Sequence, residues 1–401
     1  MRIVCVGGGP AGLYFAISTK LRNEQHDITV LERNPAGLTY GWGVVFWDDL
    51  LERLDGDDPV TARQIRAVAF RWKDQLVHVD GKPTATLSGY GYSMRRQRLL
   101  DILTERALEL GVRVQFEHEV DDPARLAGPD LIVACDGVNS RLRRLHLEQF
   151  EPTVVVGRNK YLWLGSGKVF GAFTFAFVAT HAGWIWFHAY GFAPDASTCI
   201  VECSPETWTG LGFDTLGAEE SIALLERIFA KYLDGGTLVA QPRTNGQAPW
   251  LSFRTVTNQR WYHGRFVLMG DAAHTTHFTI GSGTKLAIED AIGLAGSLHQ
   301  HDDIEAALAA YQWERQTALR LLQREAGNSA RWFEDIPRYI HLRAPQFASL
   351  LHQRRSQLLT RIPPRPYYQL HQATEEIEVL HKLRQWVSSR RRDRYLRRHT
   401  R

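Results

Sequence analysis

Hydrophobic positions recur with changing periods along the chain, and the changes mark its parts. The run RIVCV (2–6) is continuously apolar and is stopped by glycines, which predicts a parallel strand buried on both faces. Residues 11–22 then carry apolar side chains at helical spacing, and DITVLE (27–32) reads as a second strand. A long amphipathic helix is predicted over 97–111, closed by Gly111. After it VRVQFEHEV (112–120) alternates like a strand, and DLIVACDG (130–137) holds another buried one. From 161 to 202 the texture changes to aromatic and β-branched runs, FGAFTFAFVAT, GWIWFHAY and STCIVEC, which predict an antiparallel sheet. The earlier pattern returns at RFVLMGDAAH (265–274), so the sheet is inserted into the first lobe rather than appended to it. Helical periodicity fills 284–330 and continues into a tail punctuated by Pro and Arg.

Composition narrows this picture. With 401 residues there is room for two lobes, and 44% apolar with 23% charged residues is the ordinary globular mixture. Twelve Trp, 18 Phe and 13 Tyr crowd partly into 161–192, which suggests a pocket for a flat apolar ligand. A net charge of +4, part of it in the last residues, argues against nucleic acid as a partner. Four cysteines without metal-ligand spacing or a disulfide framework fit a reducing cytosol. No apolar stretch is long enough to span a bilayer, so a cytoplasmic protein without a membrane or metal is expected.

Gly7, Gly9 and Gly12 in GGGPAG form GxGxxG between strand and helix, where a pyrophosphate can meet backbone amides and a helix N-terminus. Glu32, about twenty residues further on, stands where a carboxylate grips ribose hydroxyls. That motif does not choose between NAD and FAD. In CDGVNSRLR (135–143), Asp136, Gly137, Ser140 and Arg143 form a turn that either touches a flavin and a passing nicotinamide or simply caps a helix. In GDAAHTTHFTIGSGTKLAIEDA (270–291), Asp271 follows a buried strand and suits a ribityl hydroxyl, while 281–284 opens a helix whose amides can face an anion.

These elements, in this order, resemble the group A flavoprotein monooxygenases, the family with the para-hydroxybenzoate hydroxylase fold. GWGVVF (41–46), WLGSGKVFGAFTF (163–175), HTTHFTIGSGTK (274–285), WFEDIPRY (332–339) and PQFASLL (345–351) are similar to the branch of salicylyl-CoA 5-hydroxylase and anthraniloyl-CoA monooxygenase, without the C-terminal reductase domain of its bifunctional members. The resemblance implies an α/β chain with a Rossmann-like FAD-binding domain (1–70, 93–158 and 255–330), an interleaved substrate-binding β-sheet domain (71–92 and 159–254) and a helical C-terminal region (331–401). It implies FAD contacts at Gly7, Gly9, Pro10, Ala11, Gly12, Glu32, Arg33, Gly43, Val44, Arg96, Val120, Asp136, Asp271, Gly281, Ser282, Gly283, Thr284 and Lys285. Phe46, Trp47, Trp186 and Phe278 would line the substrate.

What the resemblance implies chemically is hydroxylation of an activated aryl ring, a coenzyme A thioester or a free aromatic compound, through a hydroperoxide at flavin carbon 4a, with O2 and with NADH or NADPH docking transiently. Electron-rich rings are required, and a phenol reacts faster when partly deprotonated. His188 and Tyr190, which share a strand face with Trp184 and Trp186, are candidate bases, with His277 a third; satisfied sheet residues are the alternative reading. Phe278 stands where most of the family has proline, although the thioester branch also has phenylalanine, and Trp47 is bulkier than the residue expected there. Trp184 and Trp186 resemble a halogenase WxWxIP signature, but Phe187, His188 and Ala189 follow and the isoleucine-proline pair is missing. A flavin-binding sensor without turnover is the reading from a different class. The basic segment 384–401 either meets phosphates or a membrane surface or is a solvated tail. A monomer or homodimer is expected.

Overall fold

A computed structural model describes residues 1–376 apart from 124, 125, 127 and 242–247; the basic tail lies outside the described residues. Two sheets organise it. The first has six strands in the order Tyr262–His263, Phe266–Leu268, Leu131–Ala134, Arg2–Val6, Asp27–Leu31 and Arg113–Gln115. All its pairings are parallel except that of the first two strands. Parallel strands need helical crossovers, and the helix Pro10–Arg22 supplies one. It is buried continuously from Pro10 to Thr19 because it lies between the sheet and the helix Gly283–Gln300. The strand expected over 112–120 forms only at Arg113–Gln115, because Glu117 adopts a left-handed φ of 56° and turns the chain away.

The second sheet runs Leu238–Val239, Pro152–Ser166, Ala196–Cys203, Gly183–Ala193, Phe173–Thr180, Phe70–Val79, Ala85–Arg95 and Gly43–Phe46, with Leu251–Asn258 beside Pro152–Ser166. The antiparallel strands expected over 161–202 are present, but the sheet is mixed: Phe70–Val79 joins Phe173–Thr180 in parallel, in register from Gln75 with Phe173 to Val79 with Phe177. Residues 80–172, which supply strands to both sheets and the helices Arg96–Glu109, Arg141–Leu145 and Leu147–Phe150, form that crossover. The short strand Gly43–Phe46 also belongs to this sheet although its sequence neighbours serve the first lobe.

Strand alternation gives Gly183–Ala193 two apolar faces. Ile185, Phe187 and Ala189 pack under the helix Ala218–Leu233, with the Phe187 and Phe229 rings 5.0 Å apart. Trp186 and His188 face the other way, toward Phe333 at the end of the 31-residue helix Ile304–Glu334. Three shorter helices, Ile336–Tyr339, Ala344–His352 and Pro364–Glu376, follow it, and Ile336, Phe347 and Leu351 complete that core. Among the described residues no helix is long and apolar enough to cross a membrane.

Candidate active site

The glycines of the first turn do different work. Gly7 has φ +118°, and a Cβ there would stand 2.3 Å from the Cys135 carbonyl oxygen; one at Gly12 would stand 2.2 Å from that of Gly7. A Cβ at Gly9 would meet nothing within 4 Å, so this face of the turn is open to a ligand. Gly9 gives the helix Pro10–Arg22 no side-chain cap, and its first turn has no acid; Ser282 and the helix Gly283–Gln300 repeat both features. First-turn amides are orphan donors at the positive end of a helix, so two such ends suit the electron-rich parts of one dinucleotide.

A cavity of about 350 Å³ opens beside the first turn, bounded by Gly8, Gly9, Glu32, Thr39, Arg96 and Gln97. The Glu32 carboxylate accepts from the Gly8 amide at 2.7 Å and from the Asn34 backbone and side chain at 2.8 and 2.7 Å, leaving acceptor capacity for a ribose hydroxyl. Arg96 is half-buried, and among the described residues its hydrogen bond is to Thr39 Oγ1 at 3.2 Å, so most of its donors are unspent. Burial holds this guanidinium below its ordinary pKa while Asp271, exposed on the 3-10 turn Gly270–Ala272, pulls the other way. The Asp136 carboxylate accepts from the Arg141 amide at 2.7 Å, as the capping alternative expects. Arg143 donates to the carbonyls of Val138 and Ala272 at 2.6 and 2.8 Å and so ties the DG turn to the Asp271 turn.

The remaining expected contacts scatter. Pro10 and Ala11 are buried at the start of their helix. Val120 is buried in the first core and Arg33 is exposed outside the cavity lining. Lys285 pairs with Asp49 at 2.6 Å and Glu289 at 3.5 Å, while the hydroxyls of Ser282 and Thr276 meet at 2.9 Å. Thr284 is half-buried, and a Cβ at Gly283 would meet nothing within 4 Å.

Residues 43–47 join this trench to the second sheet. The Gly43 amide donates to Thr198 Oγ1 at 2.9 Å, and its carbonyl accepts from the Tyr190 hydroxyl at 2.9 Å. Beyond it the alternation of a strand decides who faces what. Val44 and Phe46 enter the first core, where Phe46 stacks on Tyr92 with centroids 5.9 Å apart. Phe46, expected on the substrate side, is therefore corrected to a core position. Val45 and Trp47 point the opposite way, and both lie 2.9 Å from where a Cβ of Gly281, φ +65°, would stand. The sequence reading missed Val45, which two-residue periodicity identifies.

Two of the candidate bases, His188 on the second sheet and His277 capping the turn Phe278–Ile280, meet Phe278. Its ring lies 5.8 Å from that of His188, 4.5 Å from His277 and 4.9 Å from Tyr161. His188 also contacts Phe175 at 5.1 Å and Phe333 at 4.7 Å. Behind them sits Glu202, 1% exposed and missed by the sequence reading. It accepts from Asn159 Nδ2 at 2.8 Å and from Trp186 Nε1 at 3.2 Å, and lies 3.3 Å from His188 Nε2. Burial keeps His188 below the usual histidine range despite Glu202, and pushes His277 down to about 4. It raises the Tyr190 phenol. Arg354, also missed, donates to the carbonyls of Thr279 and Leu351 at 2.8 Å each and to Ser329 Oγ at 3.2 Å. Its pKa falls to about 9 through burial and then Arg355, so it stays charged at neutral pH.

The glycine turn, the Glu32 carboxylate and the cavity beside them have the form of a dinucleotide site. The chain belongs to the FAD-binding domain family, whose model matches residues 1–326, and within it groups with the flavin monooxygenases of para-hydroxybenzoate hydroxylase type. It is 37% identical over 350 residues to a salicyloyl-CoA 5-hydroxylase of a Streptomyces species, covering 85% of this chain but 66% of that protein. It is 35% identical over 337 residues to the 3-hydroxy-4-methyl-anthranilyl-[aryl-carrier protein] 5-monooxygenase of Streptosporangium sibiricum, covering 84% of this chain and 90% of that one. The fold matches crystalline 2-methyl-3-hydroxypyridine-5-carboxylic acid oxygenase with a TM-score of 0.68 at 20% identity, over 88% of this chain and 98% of that one.

Proposed function

We propose that this protein hydroxylates the ring of an aromatic acyl thioester, using FAD, O2 and NADH or NADPH. The observation that carries the reading is the pair of uncapped, acid-free helix N-termini at Gly9 and Ser282 beside the aromatic face around Phe278. The residues present fit the flavin dinucleotide: the open backbone at Gly9, the unspent donors of Arg96 and the carboxylates of Glu32 and Asp271 match phosphates and hydroxyls. When bound, FAD takes electrons from the nicotinamide and activates O2. The protein's share is positioning and water exclusion. Val45, Trp47 and the turn at Gly281 form an apolar junction between trench and sheet, and the half-buried ring of Phe278 offers a face to a flat ring, with Phe175 and Phe333 packed behind it around His188. Of the three candidate bases, Tyr190 donates its proton to the Gly43 carbonyl, and His277 Nδ1 accepts from the Thr279 amide, so its lone pair is spent and a neutral ring carries its proton on Nε2; His188 is the third.

The thioester rests on the two relatives, whose names specify a coenzyme A and a carrier-protein thioester. The test is the mass of the product formed by flavin-loaded protein with NAD(P)H and paired panels of hydroxy- and aminobenzoic acids and their coenzyme A thioesters. A gain of one oxygen on the thioesters is expected. Oxidation of free acids alone would move the substrate to a free aromatic compound, and no substrate-stimulated oxidation would leave a binding protein.

A further inference from the structure

Glu202 is the one acid in the apolar run STCIVEC, and the sheet buries it between neighbouring strands. It is directly opposite Trp186 on Gly183–Ala193, which puts His188 on the diagonal of the same face. A carboxylate sealed in an apolar sheet costs several kcal/mol unless its lone pairs are filled. Here the donors fix the direction of every bond. Trp186 Nε1 can only donate, and Asn159 donates through Nδ2, so Glu202 is their acceptor at both oxygens. The third neighbour, His188 Nε2, then completes the shell by donating as well. In a neutral imidazole a proton on Nε2 makes Nδ1 a bare lone pair.

We propose that Glu202 is a positioning residue that holds the proton of His188 on Nε2, so that Nδ1 is the base that takes the proton from a hydroxyl on the substrate ring. This rests on the reading that the face around Phe278 receives that ring. The step is a proton transfer: the substrate O–H bond breaks, an Nδ1–H bond forms and the electron pair stays on the substrate oxygen, where it raises the electron density of the ring. The imidazolium produced lies against the Glu202 carboxylate, which stabilises it. Among the described residues the hydrogen bond of this ring is made at Nε2, and none occupies Nδ1. The charged and titratable groups facing His188 are Glu202 on the adjacent strand, His277 on the turn before Phe278 and Arg354 beyond the helix Ala344–His352. Burial and Arg354 favour the neutral, proton-accepting ring; Glu202 favours its product.

Two measurements test this. Nitrogen-15 NMR of histidine-labelled wild-type holoenzyme, with the His188 signal assigned by its loss in His188→Gln, should show the proton on Nε2. A proton on Nδ1 overturns the proposal, and this result needs no substrate and no Glu202 variant. Glu202→Gln, nearly isosteric, should lower kcat on a hydroxybenzoyl thioester by about 10²-fold and shift the acid limb of its pH profile to lower pH, with a clearly smaller loss on the aminobenzoyl thioester, which has no ring hydroxyl to deprotonate. Equal loss on both rings, with flavin content retained, overturns the proposal in favour of a packing role. If wild-type enzyme oxidises neither ring, the hydroxylase reading fails and the proposed base has no substrate proton to take, whatever tautomer the first measurement gives.

Discussion

The Tyr190 hydroxyl donates to the carbonyl of Gly43 at 2.9 Å, tying the aromatic sheet to the loop that enters the cofactor trench. Thr198 fastens the same glycine from its amide side, so the loop is held by two neighbouring strands. Burial pushes the Tyr190 phenol well above its ordinary range, so it is protonated and donating at neutral pH. Tyr190→Phe should therefore leave the pH profile of turnover intact. It should cost about 1–3 kcal/mol of stability for the stranded carbonyl and reduce kcat less than about tenfold, through a looser loop. Loss of a titrating limb in this variant would make Tyr190 a base instead.

Gly12 has no room for a side chain. An alanine Cβ would stand 2.2 Å from the Gly7 carbonyl oxygen and 2.7 Å from Cys135 Sγ, neither of which is the free end of a flexible chain. The turn would have to open, moving the helix amides away from the phosphate position. Gly12→Ala is expected to purify without flavin and to take up none when FAD is added, read by visible absorbance. A yellow protein with stoichiometric flavin would show that the turn tolerates the shift.

Asp290 anchors the other side of the trench. Fully buried, it accepts from Arg315 Nε at 2.8 Å and the Gly270 amide at 3.2 Å, and lies 2.7 Å from His274 Nε2. Burial alone would raise its pKa, but His274 and Arg315 outweigh it and hold the carboxyl below its ordinary value. Asp290→Asn leaves the buried Arg315 short of charge compensation and should cost about 3–5 kcal/mol, measured by denaturant unfolding at pH 7. A native-like midpoint would mean that Glu289, 3.1 Å from Arg315 Nη2, suffices alone.

How much of this was legible in the sequence follows from the range of each interaction. The glycine turn and the strands of both sheets are coded over a few residues, by φ requirements and by period. The parallel junction at Gln75 and Phe173 was not legible, because nothing local specifies which distant strand completes a sheet edge. Glu202 left one signal, an acid inside a buried apolar strand, but its partners Asn159 and His188 sit on the two neighbouring strands and only register brings them together. Phe46 was misplaced because its motif was carried over whole; its alternation with Val45 decides its face. Arg354 follows the helix Ala344–His352 and reaches a turn 75 residues earlier, which no short-range pattern encodes.

His277 supplies a pH dependence of known sign. Its pKa in the folded chain is about 4, lowered first by burial and then by His188, with Glu202 opposing, against about 6.5 for an unperturbed histidine. The folded state therefore binds this proton less readily than the unfolded chain. Its contribution to stability is complete above about pH 6.5 and is lost as the pH falls toward 4, by about 1.4 kcal/mol per pH unit within that window. The neighbouring carboxylates also titrate at the acid end, so the measurement is a difference. Unfolding free energies of wild type and His277→Gln are compared from pH 7.5 to 4.5. The wild type should lose stability faster below pH 6.5, by about 2 kcal/mol relative to the variant at pH 5. Parallel curves would mean that the His277 ring reaches solvent readily enough to be protonated in the folded protein, and that the turn carrying Phe278 opens near neutral pH.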